Sequence, residues 1–147
     1  MIKILCQSDP DLDQPVHANV KQTAINVFNS NNIVDCDISF IFVSDGFLSD
    51  LKKKYFQKNH FTDVIAFRLN EYKESFVEGE VYISLPRAKE NAKFFNQPYA
   101  REVSRLIIHG CLHLIGYKDA SKPDKEIMIK NENDILKITN WKDIFTS

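Results

Sequence analysis

Two histidines, His109 and His113, stand four residues apart in the run His109-Gly110-Cys111-Leu112-His113. On an α-helix that spacing stacks the imidazoles on one face about one turn apart, so both can reach a single ion. Gly116 follows three residues after His113, where a helix is expected to end in a left-handed turn and let the chain double back. The carboxylate presented beyond that turn is Asp119, ten residues after His109. Two imidazole nitrogens and one carboxylate oxygen make a three-ligand set with a fourth position left for water, the arrangement of catalytic rather than structural zinc. His109, His113 and Asp119 are therefore the candidate metal ligands. Zn2+ is the expected ion, and another divalent metal is admissible because the third ligand is a hard oxygen donor.

The histidine pair alone is a weak signal, since helical histidines can equally be satisfied by hydrogen bonds in a core. The glycine and the carboxylate at fixed offsets make it a stronger one. The spacing His-x3-His-x2-Gly-x2-His/Asp is that of the zincin peptidases, in which the residue after the first histidine is the general-base glutamate. Here that residue is Gly110. A peptidase without its base is crippled, so the pattern points to the same metal helix applied to a different reaction. Asp63, Glu102 and Glu126 are carboxylates that could approach such a site, but capping or surface ion pairs account for them as well, and no general acid or base is assigned.

The elements that must carry these side chains can be read from periodicity. Lys3 to Cys6 reads as a short edge strand, and Pro15 to Ser30 places Val16, Val20, Ala24, Val27 and Phe28 at helical spacing before Asn29-Ser30-Asn31-Asn32 stops it. Ile38 to Val43 is rich in β-branched and aromatic residues. Ser44-Asp45 then offers an N-cap for a helix through Leu48, Leu51 and Tyr55. Thr62 to Leu69 and Val81 to Leu85 read as two further strands, joined by a polar hairpin loop that holds Lys73-Glu74-Ser75 and Glu78-Gly79-Glu80. From Pro86 the chain turns helical to about Asn96, restarts near Pro98, and runs through Val103, Leu106, Ile107, Cys111 and Leu114 to Gly116. Pro123 opens a last helix through Ile127, Met128 and Ile135. The expected fold is α+β: a mixed sheet of about four strands packed with about five helices, one of them a zincin-like metal helix.

Composition narrows the class. A chain of 147 residues, 44% hydrophobic and 12% aromatic, is the size of one compact domain, residues 1–147, with a real core. Three cysteines, at 6, 36 and 111, form no C-x-x-C pair and suggest neither a disulfide framework nor a thiolate zinc knot, so they are expected to be small buried hydrophobes. Met1 to Leu5, broken by Ser8-Asp9-Pro10, does not read as a secretion signal, and no apolar run reaches bilayer length, so a cytoplasmic location is expected. The formal charge of -1 excludes a dedicated, strongly basic nucleic-acid coat. Any RNA contact must be local: Lys52-Lys53-Lys54 with Lys58 is one candidate patch, and Arg87, Lys89, Lys93, Arg101 and Arg105 another, each of which is equally an ordinary solvated helix face. Tyr117, Tyr55, Tyr72 and Tyr99 are candidates to stack on a base, and also to pack beneath loops. Lys118 could hold a phosphate or point into solvent.

The segment Arg105 to Tyr117, RLIIHGCLHLIGY, closely resembles the signature of the YbeY family of metal-dependent endoribonucleases, also described as rRNA maturation factors. Thr62-Asp63-Val64-Ile65-Ala66-Phe67 resembles that family's Thr-Asn-Val-Leu-Ser-Phe strand, and Gly79-Glu80-Val81-Tyr82-Ile83-Ser84 its Gly-Asp-Ile-x-Ile-Ser strand. Met128, Glu132, Asp134, Ile135 and Leu136 resemble its closing helix, so the likeness runs from about residue 35 to 136. Three positions depart from the pattern. Asp119 stands where the family usually has a third histidine, which makes the site harder and more anionic. Phe56 replaces the arginine of a Tyr-Arg pair, removing a candidate for phosphate contact. Asp63 replaces the asparagine of the strand entry.

The resemblance implies a single-strand endoribonuclease acting in rRNA processing and ribosome maturation. Its implied partners are precursor rRNA, the small ribosomal subunit and a ribosome-assembly GTPase. Two other readings compete with it: a ribosome-associated factor whose metal is only structural, and a zincin-like metallohydrolase acting on another substrate. Gly110 disfavours the last, and chelation separates the first two, because a structural ion holds the fold whereas an open site holds only the activity.

Overall fold

The structure is a computed structural model that describes residues 1–56 and 63–146, with the backbone alone at Phe56. Among the described residues the chain forms β1 (Ile2–Ser8), α1 (His17–Ser30), β2 (Cys36–Val43), α2 (Asp45–Phe56), β3 (Val64–Arg68), β4 (Val77–Ser84), α3 (Leu85–Phe94), α4 (Tyr99–Leu114) and α5 (Lys122–Lys137). A short 3-10 turn at Trp141–Asp143 follows. The fold is α+β, with four strands in the order β1-β2-β4-β3. The first three run parallel and β3 is antiparallel to β4, so the sheet is mixed as expected.

Alternation along the strands sorts the two faces. On β2, Cys36, Ile38, Phe40 and Phe42 are buried, and on β4, Val77, Val81 and Ile83. These join Val20, Ala24, Val27 and Phe28 of α1 and a long row from α4 (Val103, Leu106, Ile107, Ile108, Cys111, Leu112, Leu114) in the main core. Each fully buried Leu, Ile or Phe contributes about 1.5–3 kcal/mol relative to exposure, so α4 is among the most firmly anchored elements. The opposite face is covered by α2, whose Leu48 packs with Val43 and Ile65. Ser44 caps that helix as expected, its Oγ accepting from the Phe47 N–H at 3.1 Å. No helix among the described residues is long and apolar enough to cross a membrane.

The strand β4 departs from the sequence reading. It begins at Val77, four residues before the expected Val81, so Glu78-Gly79-Glu80 belongs to the strand and not to the loop. Gly79 takes a position on the buried face because Leu114 crosses it. A Cβ there would meet Leu114 Cδ2 at 2.6 Å and the Phe67 carbonyl at 2.8 Å. The glycine that mimics a turn signal is thus a site of close helix-sheet approach. In the last helix Met128 and Ile135 are buried, whereas Ile127 is exposed. Lys58, Phe61 and Thr62 lie outside the described residues, as does the side chain of Phe56.

Candidate metal centre

His113 sits in the last turn of α4, with His109 one turn before it, ring centroids 4.6 Å apart. The helix then closes as a Schellman motif: the Gly116 N–H donates to the His113 carbonyl at 3.1 Å and the Tyr117 N–H to the Leu112 carbonyl at 3.0 Å. Gly116 supplies the left-handed residue, at φ +105°. The chain doubles back, and within five residues of Gly116 it is caught again by Ser121, the N-cap of α5, whose Oγ accepts from the Asp124 N–H. Asp119 lies on the tether between these two fixed points. Its Oδ2 stands 3.4 Å from His109 Nε2 and 3.4 Å from His113 Nε2.

These separations suit a shared ion. Ligand atoms held tetrahedrally at about 2.0–2.1 Å from one metal are about 3.3–3.4 Å from each other. A direct N–H···O bond would be shorter, at about 2.7–3.2 Å. One ligand atom from each of the three residues falls within 4.8 Å of the other two. The donor set of two imidazoles and a carboxylate fits zinc and related divalent ions. Burial, and then the neighbouring His109, lower the His113 pKa below its ordinary 6.5, which keeps the imidazole neutral and its lone pair available.

Glu132 of α5, 3% exposed, holds His109 from behind: its Oε2 lies 2.5 Å from His109 Nδ1. A carboxylate at Nδ1 keeps the proton on that nitrogen and turns Nε2 toward Asp119. Arg105 Nη1 donates to the other oxygen, Oε1, at 3.2 Å, and the same guanidinium donates to both oxygens of Glu102 at 2.9 and 2.7 Å. Burial pulls the Arg105 pKa down, but Glu102, Glu132 and Asp63 more than offset this and hold it above its usual range. Asp63 accepts from Asn91 Nδ2 at 3.0 Å and lies 3.9 Å from Arg105. No role was assigned to Glu132 from sequence. Its signal was a carboxylate on the apolar stripe of α5, in register with Met128, Ile135 and Leu136, where a charge is costly unless partnered.

The three candidate ligands border an open cavity of about 720 Å³, whose lining also includes Lys52, Asp63, Tyr72 and Lys118. Of the two basic patches, that on α2 therefore reaches the cavity through Lys52. Three of the other patch's five residues are engaged elsewhere: Arg87 pairs with Asp45 at 2.7 Å, Lys89 lies over the Tyr99 ring, and Arg105 is enclosed by carboxylates. Of the unassigned carboxylates, Asp63 lines the cavity, Glu102 is buried against Arg105, and Glu126 is exposed on α5.

An α+β domain whose sheet carries a helix with a His-x3-His pair, closed by a loop carboxylate, defines the class. Residues 5–140 match the family model described as Endoribonuclease YbeY. Proteins named Endoribonuclease YbeY from Flavobacterium psychrophilum and Karelsulcia muelleri are 37% and 42% identical to it, the first over 80% of this chain and 82% of its own, the second over 68% and 70%. A third, from Parabacteroides distasonis, is 40% identical over 69% of this chain and 70% of its own. The chain belongs to the Endoribonuclease YbeY family. The solution structure of TM1509 from Thermotoga maritima, 23% identical, superposes with a TM-score of 0.62 over 91% of this chain and 87% of that one, which supports the fold.

Proposed function

We propose that this protein, as one domain, is a metal-dependent endoribonuclease that cuts single-stranded RNA, using His109, His113 and Asp119 to hold one divalent ion, zinc in the first instance. The observation that carries the reading is the convergence of three ligand atoms at the rim of an open cavity in a chain of this family. When bound, such an ion supplies Lewis acidity toward a phosphodiester oxygen and lowers the pKa of water to near neutrality. The chain's own residues do the rest. Glu132 fixes the face that His109 presents, the low pKa of His113 keeps it an electron-pair donor, and the Schellman turn sets the reach of Asp119. Lys52 and Lys118 bring positive charge to a cavity whose other ionic residues are acidic or imidazole. The biological substrate in this reading is precursor rRNA of the small ribosomal subunit, met in the cytoplasm alongside a ribosome-assembly GTPase.

The test combines metal analysis of the purified protein with cleavage of a single-stranded oligoribonucleotide by the wild type and by His113→Ala, both supplied with zinc. Loss of one of three ligands is expected to remove bound metal and reduce cleavage by at least about a hundredfold. Equal cleavage by the two proteins rejects the assignment.

A further inference from the structure

The loop between β3 and β4 is built around one arginine. Arg68, the last residue of β3, donates from Nη2 to the carbonyls of Glu71, Glu74 and Phe76, from Nε to Asn70 Oδ1, and from Nη1 to the Leu114 carbonyl at the end of α4. Asn70 adds bonds to the Phe76 carbonyl and from the Glu78 N–H. So dense a network makes the loop a fixed platform tied to the helix that carries the two histidines. On that platform stands Tyr72, with the Arg68 guanidinium 5.0 Å from its ring centroid and its ring beside Gly116 of the ligand loop. Tyr72 nevertheless remains 61% exposed and lines the same cavity as His109, His113 and Asp119.

The other candidate aromatics are occupied differently. Tyr117 donates its hydroxyl to Asn31 at 2.9 Å and packs on the main core. Tyr99 stacks on Phe145, and Tyr55 sits edge-on to Phe67. An exposed ring adds little to folding beyond its contact with Arg68, whereas a ring held in place loses little entropy when a flat ligand stacks on it.

We infer that Tyr72 is a base-stacking subsite: it receives an unpaired nucleobase of the RNA strand and so sets the adjoining phosphodiester beside the candidate metal centre. The inference rests on the endoribonuclease reading above. Lys118 and Lys52 line the same cavity and add positive charge near a strand stacked there.

The experiment uses the full-length, zinc-loaded protein and a short oligouridylate. Tyr72→Ala is expected to raise KM about five- to a hundredfold, the range for loss of one base-aromatic stack, with kcat and zinc affinity within about twofold of wild type. Tyr72→Phe, which keeps the ring, is expected to restore the wild-type KM. In Tyr72→Trp, rapid mixing with the oligonucleotide should quench a tryptophan signal that the wild type, with Trp141 alone, does not show. Cleavage by the wild type with an unchanged KM in Tyr72→Ala, or no quenching in Tyr72→Trp, overturns this inference and leaves the enzyme reading standing. A zinc-loaded wild type that neither binds nor cuts RNA overturns both.

Discussion

Glu132 and His113 illustrate how single side chains tune the centre from opposite directions. Glu132 grips the nitrogen of His109 that faces away from Asp119, so Glu132→Gln should keep the packing while weakening that grip. Replacing such a supporting carboxylate typically costs a metal site tenfold to a hundredfold in affinity. A chelator competition titration measures this, and unchanged affinity would remove Glu132 from the site. His113 has a folded-state pKa below 6.5, chiefly through burial. The unfolded chain therefore binds the proton first as pH falls through 6.5, and the metal-free protein loses stability in that window. Urea midpoints at about pH 7.5 and about pH 5.5 should show a larger fall for the wild type than for His113→Asn. At this scale the grouping of the candidate ligands was legible in the sequence, because helix geometry turns the spacing of His109 and His113 into position and Gly116 marks the turn that returns Asp119. Glu132 was not, because its partner lies on another helix. Of the thiols, Cys36 and Cys111 are the buried hydrophobes expected, whereas Cys6 on the edge strand is only half-buried; burial pushes Cys36 up to about 11 and raises Cys111 well above its ordinary value.

Among the elements, α4 and β4 set the precision of the centre. The sequence reading treats Gly110 as a peptidase base that is missing, and the structure adds a packing reason for it. A Cβ there would stand 2.5 Å from Val81 Cγ1, so α4 lies against β4 only because that position is bare. Gly110→Ala is expected to destabilise the fold by about 1–3 kcal/mol through overpacking. Val81→Ala should recover part of that loss in the double variant, as read from denaturant midpoints. An additive double variant would mean that the two residues do not press on one another. The β4 boundary escaped the sequence for a related reason: Gly79 and its flanking glutamates look like a turn until a neighbouring helix is known to cross them. The helix ends, by contrast, were marked locally, by Ser44, Pro86, Gly116 and Pro123.

For the molecule as a whole, the question is how much of the fold an ion would carry. The core of Phe28, Phe40, Phe42 and the buried face of α4 closes without reference to the ligands, and Asp119 is 46% exposed. Every fully buried side-chain nitrogen or oxygen among the described residues has a hydrogen-bond partner. Chelation is therefore expected to abolish cleavage while leaving the far-ultraviolet circular dichroism spectrum intact and lowering Tm modestly. Zinc at a hundred times its Kd should add back about 2.7 kcal/mol. Unfolding on chelation would instead favour a factor whose metal is structural. The fold class was legible from the order of elements, but the strand order β1-β2-β4-β3 was not, because pairing β2 with β4 skips a helix and a strand. The sequence nominated Lys52, Asp63 and Tyr72 singly, but only the fold brings α2, the entry to β3 and the β3-β4 loop to one cavity.

The position of the histidines at the end of α4, and not at its start, has an electrical consequence. Aligned peptide dipoles leave about half an elementary negative charge at a helix C-terminus. Asp119 and Asp63 add theirs around the same opening. Lys52 and Lys118 oppose these charges on the same lining, so a divalent cation held by the candidate ligands would tip the opening toward positive charge and favour a polyanion there. Oligonucleotide affinity should accordingly rise when zinc is added and fall again when it is stripped.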